Sequence, residues 1–259
     1  MEIKHIKLNN GEMEYFSFGN GKQPLLIIPG LSLHSVMLSA DAVANAYKDF
    51  GKCFTVYVFD HIKDIHKNYS IKDMADNIAF AAKELGISSA CVFAVSHGGM
   101  IAQQLTISHP QLVSKLALGS TVCRMNEMSR SVISKWVALA NSGNAFELNS
   151  SIFEHLYSKE LLCSIGDSLL KLKKQGTREE MERFSILAKS CLNFDVTKTL
   201  CNINCKVMVI AASNDRVLSF NGAKELSELL NCEMVVFEGE HAVYDEDPNY
   251  KKVLLDFFL

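Results

Sequence analysis

The stretch Cys91-Val-Phe-Ala-Val-Ser-His-Gly-Gly-Met100, continued by an apolar-periodic run to Ile107, decides how this chain is read. Its first five residues are apolar and compact, the pattern of a strand buried on both faces. The strand stops at Ser96, glycines follow at 98 and 99, and a helix begins directly behind the turn. A serine caught between buried strand and helix fits the G-x-S-x-G nucleophile elbow, with alanine in the first glycine slot. Small residues at Ala94 and Gly98 let strand and helix approach closely, which forces a sharp turn and pushes the hydroxyl out.

Outward from this point the same alternation repeats. Short apolar runs over residues 25–28, 54–59, 115–118, 207–211 and 234–237 read as further buried strands. Residues 3–8 and 13–18 flank Asn9-Asn10-Gly11 and read as an antiparallel hairpin. Ser70-Ile-Lys-Asp73 resembles a capping box, after which Ile71, Met74, Ile78 and Leu85 share one helical face until Gly86 stops it. Residues 221–230 and 250–258 close the chain as helices. Strands alternating with helices predict an α/β fold: a mostly parallel eight-stranded sheet with helices on both faces.

One block breaks the alternation. From Cys123 to Asn193 only helical patterns occur, around Trp136, around Phe153 and Leu156, around Leu169 and Leu172, and behind Thr177-x-x-Glu180. The expectation is a core formed by residues 1–121 and 195–259, with residues 122–194 inserted as a helical cap. Apolar residues there, such as Met125, Met128, Trp136, Phe146, Ile152, Phe153 and Tyr157, could line an acyl pocket.

The bulk numbers exclude several classes. The chain has 259 residues, 48% of them hydrophobic, so a large core can form. A formal net charge of −3 gives no footing for nucleic acid or an anionic membrane surface. Met1-Glu-Ile-Lys-His-Ile-Lys lacks the apolar centre of a signal peptide, and no run reaches the roughly 18 apolar residues of a membrane span. A cytoplasmic location is expected, so the eight cysteines read as reduced thiols. Cys201-x-x-x-Cys205 lacks a second pair at zinc spacing, and neither metal nor cofactor is called for.

Four motifs belong together: Leu25-Leu-Ile-Ile-Pro-Gly-Leu31, Ala94-Val-Ser-His-Gly-Gly99, Ala211-Ala-Ser-Asn-Asp-Arg-Val217 and Gly239-Glu-His-Ala242. In residues 12–120 and 195–258 the chain resembles the α/β-hydrolase fold family. The resemblance implies a triad running serine, acid, histidine along the chain, matched here by Ser96, Asp215 and His241. It also implies oxyanion donors at the backbone N–H groups of His97 and Leu31. The chain departs from the pattern at Ala94 and Ala212, where glycine is frequent, and at Pro29, where histidine is.

The chemistry asks for these residue types. A serine hydroxyl attacks only when a base takes its proton, and histidine titrates near neutrality. An acid on the other ring nitrogen fixes the tautomer and stabilises the imidazolium. Asp195, Asp60 and Glu238 are rival acids; Asp60 follows a strand where the family commonly carries a structural aspartate. Among other histidines, His61 and His66 read as a solvated loop, His109 as a helix end, and His34 as surface or substrate contact. The expected activity is cleavage of small to medium uncharged carboxylic esters, a small-molecule substrate class. A C–C bond hydrolase, a thioesterase, an aminopeptidase or a non-catalytic receptor could use the same framework.

Overall fold

The structure is a computed structural model and describes residues 1–9 and 11–259. Eight strands form one sheet: β1 (Lys4–Leu8), β2 (Gly11–Phe18), β3 (Gln23–Ile28), β4 (Phe54–Ile62), β5 (Ala90–Val95), β6 (Val113–Gly119), β7 (Lys206–Ala212) and β8 (Glu233–Phe237). Their order across the sheet is β1-β2-β4-β3-β5-β6-β7-β8. The first two strands pair antiparallel, as does β2 with β4; the remaining neighbours are parallel. Asn10, at the centre of the expected hairpin turn, lies outside the described residues, and Leu8 and Gly11 on either side of the turn are paired.

Period-two alternation splits the buried side chains between two faces. Leu26, Ile28, Val92, Ala94, Leu116 and Leu118 face one layer, which holds α2 (Ile71–Glu84), α3 (His97–Ser108) and α9 (Phe220–Leu230). Leu25, Ile27, Phe93, Val95, Ala117 and Ile210 face the other, which holds Ala40 of α1 (Ala40–Ala46) and four residues of α11 (Pro248–Phe258). Each fully buried Leu, Ile or Phe contributes about 1.5–3 kcal/mol to this double core. Strands of such uniform hydrophobicity can exist only between two covering layers.

Between β6 and β7 lie α4 (Glu127–Ser142), α5 (Ala145–Leu156), α6 (Lys159–Ile165), α7 (Asp167–Lys173) and α8 (Arg178–Cys191). They stand on the α2/α3 face, with Trp136, Leu148, Phe184 and Leu187 joining the core there. Four helical patterns were expected and five helices are present. The additional one is α6, which buries no residue, as is also true of α7, whose pattern was expected. Helix α1, in which only Ala40 of seven residues is buried, was not foreseen either. A short α10 (Val243–Glu246) precedes α11. Both expected capping boxes are present, Ser70 with Asp73 and Thr177 with Glu180. No helix among the described residues is long and apolar enough to cross a membrane.

Two features position a site. The chain passes from β3 to β4 on one side and then back across β3 to β5 on the other, so the winding direction reverses between β3 and β5. Loops leaving the carboxyl ends of strands at such a reversal diverge and open a crevice. Pro29-Gly30-Leu31 leaves β3 there, and Ser96 leaves β5.

Candidate active site

Ser96 has φ 55° and ψ −124°, a left-handed conformation rare for a residue with a Cβ. Several contacts hold it there. Its N–H donates to the Gly119 carbonyl at 2.9 Å, and its own carbonyl accepts from the Thr121 hydroxyl at 2.8 Å. Gly98 makes the turn sterically possible: a Cβ there would sit 2.3 Å from the Ile28 carbonyl oxygen and 2.4 Å from that of Pro29. Helix α3 therefore rests directly on the end of β3. Gly30 faces Ser96, and a Cβ on it would lie 3.2 Å from the serine Cβ.

His241 and Asp215 come from loops behind the last two strands and are buried side by side. The His241 Nδ1 lies 2.9 Å from the Asp215 Oδ2. The other Asp215 oxygen accepts from the N–H groups of Val217 at 2.8 Å and Leu218 at 2.9 Å. Burial works to raise the Asp215 carboxyl, but His241 and the two amides outweigh it and hold the group below its ordinary value. A carboxylate accepts only, so Nδ1 carries the proton and Nε2 remains as the basic nitrogen. The Ser120 hydroxyl fixes the His241 carbonyl at 2.8 Å.

His241 and Ser96 line one small pocket with Gly30, Leu31, His97, Trp136 and Leu156. No hydrogen bond joins the Ser96 hydroxyl to His241 among the described residues, and in unliganded sites such bonds are often long and tighten with substrate. The N–H of His97, first of α3, and the N–H of Leu31 have no protein acceptor among the described residues. Both residues line the pocket together with Ser96. Of the residues named from the sequence, Ser96, His241, Leu31 and His97 line this pocket, and Asp215 stands outside it, bonded to His241.

The rival acids lie elsewhere. Asp195 is exposed and capped onto Thr197, and Glu238 is exposed. Asp60 is bonded to Ser35 and Arg183. The reading of His61 as loop is corrected: β4 runs on to Ile62 because Met13 of β2 pairs with Ile62 beyond a bulge. His61 therefore stands on the strand, half-buried, and burial pushes its imidazole down to about 4. His109 is held by Asp76 at 2.8 Å, and His34 by Glu180 at 2.8 Å. The His97 ring is buried and pushed down to about 3; Ser190 donates to the Leu187 carbonyl, so the imidazole Nε2 donates to Ser190 at 3.3 Å.

Behind the small pocket lies a cavity of about 370 Å³, which shares Gly30, Leu31, Leu156 and Tyr244 with it. Of the apolar residues proposed for an acyl pocket, Trp136 lines the small pocket and Ile152, Phe153 and Tyr157 line the cavity. Met128 and Phe146 are 40% exposed and Met125 is buried outside both. Sequence reasoning missed Arg183 and His61 as lining residues. A charged residue on an amphipathic helix carries no mark of its facing a cavity, and His61 was hidden by the strand's underestimated length.

The model of the Ndr family matches residues 60–237, well over half of the chain. The chain belongs to the Ndr family. It is also 27% identical over 228 residues to RutD of Serratia proteamaculans, a protein named as a candidate carbamate hydrolase, covering 81% of this chain and 82% of that one. RutD of Pseudomonas savastanoi is 26% identical over 251 residues, 90% of this chain and 93% of that one. Among solved structures, the α/β hydrolase MGS-M2 from a Medee basin deep-sea metagenome library superposes with a TM-score of 0.88 at 22% identity, covering 98% and 97% of the two chains. The enol-lactonase of Burkholderia xenovorans superposes at 0.86 with 17% identity, covering 98% and 99%. This member of the Ndr family thus has the α/β-hydrolase fold, and its relatives support a hydrolase enzyme acting on a small molecule.

Proposed function

We propose that the chain is a serine hydrolase that cleaves carboxylic esters with small to medium, uncharged acyl groups. The observation that carries this reading is the Asp215–His241 pair opening into the same pocket as a serine on a strained turn. His241 Nε2 takes the hydroxyl proton as the Ser96 oxygen attacks the ester carbonyl. The N–H groups of His97 and Leu31 receive the developing oxyanion; donors of this kind are worth about 2.7–4 kcal/mol each in the transition state. The imidazolium then returns the proton to the departing alcohol, leaving an acyl-serine. Water, deprotonated by the same nitrogen, attacks the acyl carbon and releases the acid.

Residues 122–194 act here as the cap over a core of residues 1–121 and 195–259. The cap walls the cavity from water, which strengthens every dipole aimed at the reacting carbonyl. A carbamate is the second substrate class to test, because the RutD relatives are named for it and a carbamoyl-serine forms by the same attack.

The test is turnover of short-chain p-nitrophenyl esters and an aryl carbamate by the purified chain, with fluorophosphonate labelling. Ester turnover and labelling that both vanish in Ser96→Ala support the reading. Undiminished hydrolysis in that variant, or ligand binding without any turnover, overturns it.

A further inference from the structure

The cavity behind the site is apolar over most of its wall, from Val58, Ile78, Ile152 and Leu187 among others, with Asp60, His61 and Arg183 where β4 meets α8 and other polar groups elsewhere. Its volume of about 370 Å³ falls in the range of small-molecule pockets. Ser96 and His241 do not line it. Whatever fills it reaches the site past Gly30, Leu31, Leu156 and Tyr244.

The charged and imidazole groups on its wall differ in one respect. His34 is bonded to Glu180, and Asp245 accepts from the Tyr157 hydroxyl at 3.3 Å. Asp60 accepts from the Ser35 hydroxyl at 2.5 Å, from the His61 N–H at 2.7 Å and from Arg183 Nη2 at 3.3 Å. Arg183 spends that same Nη2 on the carbonyls of His61 and Ile62, at 3.3 and 3.4 Å. Its Nε and Nη1 have no protein acceptor among the described residues, and the His61 ring makes no hydrogen bond at all there. A neutral imidazole offers one donor and one acceptor, and both, without a protein partner among the described residues, are open to a ligand in the cavity.

We propose that the His61–Arg183 end of the cavity receives an uncharged oxygen function, a hydroxyl or a carbonyl, at the far end of the substrate. The preferred esters then carry such a group away from the bond cleaved, instead of a plain alkyl chain. Arg183 arrives with its charge already answered by Asp60, so a carboxylate would bring an uncompensated negative charge into a poorly solvated space. A neutral oxygen accepts from the guanidinium or the imidazole without that cost. This inference rests on the ester-hydrolase reading for its chemistry.

The experiment compares matched substrates on the full chain: p-nitrophenyl levulinate against p-nitrophenyl valerate, which places the oxygen on the acyl side. Pentyl acetate against the monoacetate of pentanediol places it on the alcohol side. The expected ratio of kcat/KM, oxygenated over plain, is about tenfold in one of the two series, the worth of one well-made hydrogen bond. It falls to within about twofold in His61→Phe and in Arg183→Lys, and His61→Asn restores part of it. Because both esters report on the same active molecules, a partly misfolded preparation leaves the ratio intact. A ratio near one in both series, or one unmoved by His61→Phe and Arg183→Lys, overturns the proposal. Hydrolysis surviving in Ser96→Ala sinks the ester reading instead. In that event, thermal stabilisation by methyl levulinate over methyl valerate, present in the unaltered chain and lost in His61→Phe, still supports the cavity proposal, and equal stabilisation overturns it.

Discussion

Asp215 is bonded to His241 through one oxygen and to two backbone amides through the other, so its role can be separated from folding. Asp215→Asn keeps the size but can donate toward Nδ1, which turns the imidazole to the wrong tautomer. Ester turnover falls by about 10³–10⁴-fold while near-ultraviolet circular dichroism stays native. At Gly98 the constraint is steric. A methyl group there meets two backbone carbonyls that cannot step aside, so Gly98→Ala costs roughly 2–3 kcal/mol and displaces Ser96. Gly86→Ala is the control: no atom lies within 4 Å, and only the positive φ of 72° resists, at about 1–2 kcal/mol. Urea unfolding distinguishes the two, and only the first lowers turnover per folded molecule.

At the scale of elements, the end of α5 and the turn behind it are tied to the loops that carry Asp215 and His241. Arg216 donates to the Glu154 carbonyl at 2.6 Å and pairs with Glu240 at 2.8 Å. The Ala242 N–H donates to the Leu156 carbonyl at 2.9 Å, and Ser158 bonds Glu246 through both its N–H and its hydroxyl. These ties join the end of α5 and the turn behind it to Arg216, Ala242 and Glu246, and Arg216 joins the two loops through Glu240. Arg216→Met removes two of them at a largely exposed position. The expected result is a kcat lowered about 3–10-fold, since reacting groups tolerate little misplacement. Unfolding free energy shifts by less than about 1 kcal/mol, as for exposed ion pairs generally. A loss of stability with unchanged kcat would show the ties to be structural only.

For the whole molecule, two imidazoles held neutral by burial set the acid limb of stability. His61 and His97 are pushed down to about 4 and about 3 from an ordinary 6.5. A group that binds protons more readily when unfolded makes stability fall as pH falls. The contribution is fully present above about pH 6.5 and is lost on descent toward 4 and 3, at up to about 1.4 kcal/mol per pH unit for each ring. Asp60 and Asp215 are also held low, but their loss begins only near the ordinary 3.8. Urea midpoints followed between about pH 7 and pH 4.5 carry the histidine contribution, opposed by the Asp245 carboxyl that burial pushes up, and His97→Gln flattens the slope there. An unchanged slope would mean that the His97 ring titrates freely in the folded chain.

Residues 91–107 declared a buried strand, a sharp turn and a helix, because burial on two faces and close backbone approach each demand side chains of one kind. The order Ser96, Asp215, His241 came from the resemblance to the α/β-hydrolase family, and both capping boxes were legible from their own local spacing. The Asp215–His241 bond was not legible, since it joins residues whose loops meet only after β7 and β8 pair. Nor was the Arg183–Asp60 contact, which depends on α8 folding back over the end of β4. Helices α1 and α6 went unread; α1 buries only Ala40 and α6 buries nothing. Local sequence set the elements through periodicity and turn chemistry. The meeting of distant charges, and the cavity between them, came from packing that no short stretch encodes.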